Sequence, residues 1–403
     1  MKGSEEMRRK YSMRRLGLYF HIPFCKSKCA YCDFYSFTPS DEGTYERYVS
    51  ALIRHMETYS ASCRNYAPDT VFIGGGTQTA LPNNLLLELI RAIKRNFSLT
   101  KGVEFTVEAN PATVSLKELK RLRRAGVNRL SMGLQSADNN ELALLSRIHR
   151  REDFEEAFRN ARAAKIGNIN VDVIYGIPGQ TVRSALKTLD YVTRLGPEHI
   201  SFYNLKIEPG TPFWEARDTL DLPGEDAEYE MYMRGVSLLS SRGYEQYEIS
   251  NFAKPGYRCL HNYKYWNCDE YLGLGAAAHS FFNGNRFSFC RDAERYMKAF
   301  EDPGANIRIT DSFEEVMTKE RIGEYVMLRM RLAEGISSRE FYRLFGRDFE
   351  SMYGKRLAGY INGGFVVRRD DGYAFTPRGM FVSNYILSDI LDFSDVGIYD
   401  PTS

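Results

Sequence analysis

Three cysteines, Cys25, Cys29 and Cys32, lie in the run Leu18-Tyr-Phe-His-Ile-Pro-Phe-Cys-Lys-Ser-Lys-Cys-Ala-Tyr-Cys-Asp-Phe34. Their spacing is C-x3-C-x2-C, and no fourth cysteine follows closely. Three thiolates can hold three corners of a four-iron cluster and leave the fourth iron open. An open iron beside an electron-rich cluster is a place to bind and reduce a small molecule. Zinc competes for the same residues, because three cysteines plus a histidine also make a tetrahedral site, and His21 is close in sequence. Structural zinc sites usually add a second cysteine pair at knuckle spacing, and none is present. Spacing therefore favours the cluster and leaves zinc open.

Other residues with chemical potential follow short apolar runs. Gly74-Gly75-Gly76-Thr77 offers bare backbone to a ligand: its N–H groups suit a carboxylate and its carbonyls an amino group. It lacks the Gly-Lys-Ser/Thr ending of a phosphate-binding loop. Glu108, Gln135, Arg147 and Asp172 are ordinary one by one, since charged groups are mostly solvated surface residues. At strand ends they acquire meaning. A carboxylate there can bind ribose hydroxyls, and Arg147 can hold a carboxylate through two hydrogen bonds.

The elements that must position these groups alternate strand and helix patterns. Candidate strands are Leu16–His21, Thr70–Gly74, Val103–Glu108, Asn128–Gln135, Asn168–Tyr175 and His199–Leu205. Between them, apolar residues at three- and four-residue spacing predict helices over Thr44–Ser60, Asn84–Asn96, Ser115–Ala125, Asn139–Leu145, Arg151–Lys165 and Gln180–Leu195. Gly126, Gly167 and Gly196 stand where left-handed helix stops are expected. Repeated βα units imply parallel strands and right-handed crossovers. The fold class is α/β, read as a partial (β/α)6 TIM-like barrel whose strand ends share one functional rim. Tyr244–Ser250 reads as a further strand, and the chain is irregular and aromatic from Phe252 to Phe289. Helical patterns at Val316–Arg331, Ser337–Phe345 and Phe349–Asn362 lead into a hairpin around Asp371-Gly372 and a last helix, Pro377–Leu391. This is a C-terminal helical, winged-helix-like domain. The expected divisions are a polar tail (1–15), the barrel (16–250), an aromatic connection (251–309), the C-terminal domain (310–391) and a tail (392–403).

Bulk properties exclude more than they assign. With 54 basic and 52 acidic residues in 403, the net charge is +2. That balance gives no drive toward nucleic acid or an anionic membrane. Seven cysteines, an odd and clustered set, argue against a disulfide framework. They suit a reducing, cytoplasmic setting. The basic N-terminus lacks the apolar stretch of a signal peptide, and no run reaches membrane-spanning length.

The ordered motif set is more specific than its parts. Tyr19-Phe-His-Ile-Pro-Phe-Cys25, the cysteine triplet, Gly-Gly-Gly-Thr77, Glu108-Ala-Asn-Pro, Gly133-Leu-Gln-Ser136, Arg147-Ile-His149 and Asp172-Val-Ile-Tyr-Gly-Ile-Pro-Gly179 together resemble the radical S-adenosylmethionine (SAM) superfamily. The resemblance runs from about Leu16 to Leu391. Within the superfamily it points to the branch containing oxygen-independent coproporphyrinogen III dehydrogenase and the heme chaperone HemW. It implies a [4Fe–4S] cluster on Cys25, Cys29 and Cys32, with SAM chelating the open iron and cleaved to methionine and a 5′-deoxyadenosyl radical. It places Tyr19, Tyr31, Gly75, Gly76, Thr77, Glu108, Gln135, Arg147 and Asp172 along SAM. Gln78 departs from the family, where proline is usual.

Two features separate the branches. The dehydrogenase resembles C-x3-C-x2-C-x-C, whereas here Phe34 takes the last position. His261-Asn-Tyr-Lys-Tyr-Trp266 matches the H-N-x-x-Y-W motif of HemW-like proteins, in which the histidine is associated with heme. A neutral imidazole suits heme iron, and neighbouring aromatics suit the macrocycle. A core histidine in an aromatic cluster is the competing reading. The resemblance thus implies a heme-binding and heme-transfer protein, with the porphyrinogen-decarboxylating enzyme as the alternative. Its expected partners are heme, a heme-acceptor protein, and an electron donor such as flavodoxin or ferredoxin. A peripheral membrane contact would come through the acceptor, and no nucleic acid is expected.

Overall fold

The structure is a computed structural model that describes residues 13–391. The first twelve residues of the expected N-terminal tail, and the C-terminal tail, lie outside that range. Six parallel strands follow one another in order: β1 (Arg14–Ile22), β2 (Tyr66–Gly75), β3 (Glu104–Ala109), β4 (Arg129–Gln135), β5 (Asn168–Tyr175) and β6 (His199–Asn204). Helices α1 (Gly43–Ser60), α2 (Asn83–Asn96), α3 (Leu116–Arg124), α4 (Asn139–Leu144), α5 (Arg151–Ala163) and α6 (Val182–Leu195) make the crossovers. β1 pairs with β9 (Tyr271–Leu274) on its other side, and β6 pairs with β8 (Asn251–Ala253), so β1 and β6 never meet. The barrel is partial, as the sequence predicts.

Alternation along the strands builds it. Leu18, Phe20, Ile73, Phe105 and Val107 bury one face against Leu52, Leu89 and Ile90 of the helices. Leu130, Met132, Ile169, Val171, Ile200 and Phe202 do the same against Phe154 and Leu189. Each fully buried side chain of this size stabilises by about 1.5–3 kcal/mol. The opposite faces carry polar residues, so the barrel interior is polar. Local signals fix the helix ends. Ser115 and Glu118 form a reciprocal cap at the start of α3, and Gly196 closes α6 at φ 70°. Gly167 is not a left-handed stop: Lys165 takes that role with φ 62°.

The stretch after β6 differs most from expectation. Tyr244–Ser250 is not one strand. It holds only β7 (Glu245–Gln246), and the pairing with β6 is made by β8, antiparallel. The aromatic stretch is regular. It contains α7 (Leu260–Trp266), β9, β10 (His279–Phe282) and β11 (Asn285–Phe289). Thr310–Glu315, expected to open the C-terminal domain, is β12, an edge strand paired with β11. All twelve strands form one sheet, ordered β12-β11-β10-β9-β1-β2-β3-β4-β5-β6-β8-β7.

The C-terminal domain follows, with helices at Thr318–Arg329, Ser338–Phe345 and Lys355–Asn362, then the hairpin Val366–Arg369/Gly372–Phe375. Arg369 faces Gly372 across the hairpin, which puts Asp370-Asp371 at its tip. The last helix is broken at Val382 into Pro377–Phe381 and Ser383–Ile390. The domain packs on the barrel through Ala333 N–H to the Tyr247 carbonyl (3.0 Å) and Phe381 against Tyr229 and Tyr232. No helix among the described residues is long and apolar enough to cross a membrane.

Candidate functional site

The inward-facing residues fall into two layers. Near the strand starts lie Thr70, Glu104, Arg129, Asn170 and His199, all buried. Near the strand ends lie Tyr19, Glu108, Asp172 and Tyr203, all partly open. The cysteine loop rises beside this upper layer. Phe24 bridges Phe37, and Cys25 N–H donates to the Phe37 carbonyl at 2.9 Å, so the loop returns on itself. Further along, Ala30 is tied to Leu145 and Phe213 by backbone hydrogen bonds. All three cysteines are partly exposed free thiols. Burial pushes the Cys32 thiol up to about 11. It ionises at neutral pH only when a cation binds it.

Glycine is required where β2 meets this loop. A Cβ on Gly76 would lie 2.5 Å from the Phe24 carbonyl oxygen and 3.0 Å from Cys25 Sγ. Gly75, at φ 118°, leaves no room for one beside the His21 ring. The amides here are already spent. Gly75 N–H donates to Glu108 at 3.2 Å, Gly76 N–H to the Ile22 carbonyl at 2.8 Å, and Thr77 N–H to the Phe24 carbonyl at 2.6 Å. The expected carboxylate-binding N–H groups are therefore absent, and only the carbonyl edge of this loop remains for a ligand. Thr77 Oγ1 lies 3.8 Å from Cys25 Sγ.

Arg147 reaches into the rim from the loop after α4. Its Nη1 lies 3.3 Å from Cys29 Sγ, and its Nη2 donates to the Gly133 carbonyl at 2.9 Å. Gln135 sits at φ 73° at the end of β4 and accepts from Tyr203 at 3.0 Å. Tyr31 and Tyr203 pack against the same small cluster, which includes Ala30 and Leu145. Desolvation, with Asp172 adding repulsion, pushes Glu108 up to about 8. Desolvation also raises Asp172, whose oxygens accept from Asn170 at 2.7 Å and Ser131 at 3.4 Å. Among the described residues, neither carboxylate is within 4 Å of a cationic side chain, and Arg147 has no carboxylate partner.

That mismatch tests the fit of the implied cofactors. The rim holds a guanidinium without an anion, two carboxylates without a cation, and a buried Arg147 Nε without a partner. SAM carries a carboxylate, an ammonium, a sulfonium and ribose hydroxyls, so its groups answer each of these. The three cysteines open to the same rim. No set of three or more His, Cys, Asp or Glu side chains among the described residues converges on a single ion. His21 is no zinc ligand in this arrangement: its nitrogens bond the Tyr19 hydroxyl at 3.0 Å and the Tyr35 carbonyl at 2.9 Å.

His261 lies beneath this rim, its ring 6.4 Å from that of Tyr19. It is 1 % exposed. Its Nδ1 bonds Thr70 Oγ1 at 2.8 Å and its Nε2 bonds the Tyr265 hydroxyl at 2.9 Å. In the ligand-free fold His261 is a hydrogen-bonded interior histidine, and an axial bond to heme iron would require breaking one of these contacts. Burial lowers its pKa to about 3, keeping it neutral. Its helix plugs the lower layer: Glu104 accepts from the amides of Leu260 and His261 at 3.0 Å each, and Lys264 pairs with Asp69 at 2.8 Å. Sequence reasoning missed this layer. Asn170 bonds Ser131, Asp172, Ser201 and His199, and His199 bonds Tyr247 at 2.8 Å. The signal was present in the strict alternation of Glu104-Phe-Thr-Val-Glu108 and His199-Ile-Ser-Phe-Tyr203.

Comparison with known proteins agrees with this geometry. Residues 19–192 match the model of the radical SAM superfamily, and residues 317–382 match the HemN C-terminal domain. The chain is 34% identical over 376 residues to the heme chaperone HemW of Bacillus subtilis, covering 93% of this chain and 98% of that one. It is 34% identical to the heme chaperone HemW of Escherichia coli, covering 92% and 97%. Its fold matches the solved structure of coproporphyrinogen III oxidase (HemN) from Escherichia coli with a TM-score of 0.83 at 22% identity, over 98% of this chain and 94% of that one. Motifs, fold and relatives agree, and the chain belongs to the HemW family of the radical SAM superfamily.

Proposed function

We propose that the protein binds heme and passes it to an acceptor protein, on a scaffold that holds a [4Fe–4S] cluster and SAM. The observation that carries this reading is the pairing of an unsatisfied rim with an exposed aromatic at the cluster loop. Phe34, two residues after Cys32, is 64% exposed where the dehydrogenase pattern has a cysteine. Full-length similarity to relatives named as heme chaperones supports it.

Cys25, Cys29 and Cys32 would hold three irons. The bound cluster and SAM supply one-electron reduction of a sulfonium. The protein's own residues orient and shield. Arg147 would suit the SAM carboxylate, the carbonyl edge at Gly75, Gly76 and Thr77 would suit the ammonium, and Glu108 and Asp172 would suit hydroxyl or cationic groups. Tyr19, Tyr31 and Gln135 line the remaining wall. A flavodoxin- or ferredoxin-like donor would supply the electron. The setting is cytoplasmic, with membrane contact made only through the acceptor.

The test is anaerobic reconstitution with heme and coproporphyrinogen III offered together. Retained heme without protoporphyrinogen formation is the expected result. Protoporphyrinogen formation would reverse the reading in favour of the decarboxylating enzyme, and absence of heme binding would overturn it.

A further inference from the structure

Strand register stacks two rows of inward-facing residues. Ser131, Asn170 and His199 face one another on β4, β5 and β6. Residues two apart on a strand share a face, so Asp172 stands directly above Asn170, between Gly133 and Ser201. Gly133 has no side chain to steady the carboxylate, and Asp172 is held mainly from the row beneath it. Asn170 Nδ2 donates to Asp172 Oδ1 at 2.7 Å and to Ser131 Oγ at 2.7 Å. Ser201 Oγ donates to the Asn170 amide oxygen at 3.2 Å or to Asp172 itself.

The donors in this network run in one direction. The Tyr247 hydroxyl accepts from Cys259 N–H at 3.3 Å, so its own proton turns to His199 Nε2, 2.8 Å away. Burial, then Arg129, holds the His199 pKa well below its ordinary value, so the ring is neutral and carries one N–H. With Nε2 accepting, that N–H is on Nδ1, and it donates to the Asn170 amide oxygen at 2.6 Å. The Asn170 amide nitrogen is thereby turned to Asp172, whose ionised carboxylate only accepts. A flipped amide would set oxygen against that carboxylate and N–H against the imidazole N–H. Tyr247, His199 and Asn170 are buried, whereas Asp172 is partly open to the rim.

We propose that Asn170, oriented by His199 and Tyr247, is a positioning residue that fixes the Asp172 carboxylate for the ribose hydroxyls of SAM. This rests on the SAM reading above and assigns what sets the site's preference for a hydroxylated sugar. A hydroxyl gains more from a charged acceptor that is already fixed than from one that must be ordered on binding. Losing the network should therefore erode selectivity for the hydroxyls rather than affinity for the rest of the ligand.

The test is calorimetric binding to the anaerobically reconstituted chain, without reductant so that the ligand stays intact. SAM is compared with its 2′,3′-dideoxy analogue. The wild-type chain should bind the analogue ~10-fold or more weakly than SAM. In Asn170→Ala that ratio should fall to about 2–3-fold, with affinity for the analogue little changed. A merely structural loss would weaken both ligands alike and leave the ratio as it was. Tyr247→Phe keeps the ring and removes only the hydroxyl that fixes the His199 tautomer. It should lower the ratio in the same sense by a smaller factor, and it carries the test alone if Asn170→Ala does not fold. A wild-type ratio near one, or an unchanged ratio in either folded variant, would overturn the proposal while leaving the SAM reading intact. A wild-type chain that binds neither ligand would overturn both.

Discussion

The two layers inside the barrel carry the same kinds of residue and treat them in opposite ways. The lower layer, Glu104, Arg129, Asn170, His199 and His261, is buried, and all but Arg129, whose Nε has no partner, are hydrogen-bonded within the chain. In the upper layer Gln135 and Tyr203 bond each other, but the charged groups Glu108, Asp172 and Arg147 are only partly buried and short of partners of opposite charge. Low dielectric makes both arrangements consequential. A satisfied network rigidifies, whereas an unsatisfied one waits for a ligand. Residue type alone does not separate structure from function here; the pairing state of each atom does.

The sharpest way to break this contrast is to damage the lower layer. Glu104→Ala removes the acceptor of two helix amides and leaves Arg129 buried without that carboxylate. Loss of about 1–3 kcal/mol of stability is expected by chemical denaturation, with cluster loading retained in the fraction that folds. A variant with wild-type stability would mean that the layer is not structural.

The upper layer should behave in the reverse sense. Glu108 titrates near 8 in the fold and near 4.5 in the unfolded chain. Between those values the folded protein holds a proton that the unfolded chain has lost. Stability of the ligand-free protein therefore falls as pH rises through that window. Because Glu108 keeps some solvent exposure, the slope should stay below the ~1.4 kcal/mol per pH unit of one full proton. Glu108→Gln should flatten that slope and be the more stable protein at pH 8, and SAM should flatten it in the wild type. Identical pH profiles for the two proteins would contradict the assignment.

A smaller effect is expected at Gln78, between the layers and the cysteine loop. It is fully buried, and neither side-chain amide atom has a partner. Gln78→Met should raise stability by about 1 kcal/mol in thermal unfolding of the ligand-free chain. No gain would indicate that an ordered water satisfies the amide.

Much of the upper layer was legible in the sequence. β5 runs from Asn168 to Tyr175 as the apolar alternation predicts, and the rim residues follow strand ends marked by glycine. The lower layer was not legible as a network because its contacts are distant. Thr70 and His261 are 191 residues apart, and Glu104 and Leu260 are 156 apart. Short elements hid the rest of the sheet. β9, β10 and β11 have four or five residues each, too few for a clear period among so many aromatics. The H-N-x-x-Y-W motif marked a special helix correctly, but a motif cannot show that both nitrogens of its histidine are already bonded.

The function proposed for the chain requires that the open layer hold an iron–sulfur cluster with an accessible iron. Iron and acid-labile sulfide should be measured on the anaerobically reconstituted chain, with electron paramagnetic resonance of the reduced protein before and after SAM is added. About four iron and four sulfide per chain are expected, with a signal that shifts on SAM addition and with neither in Cys29→Ser. Zinc without sulfide, or a cluster signal indifferent to SAM, would contradict it.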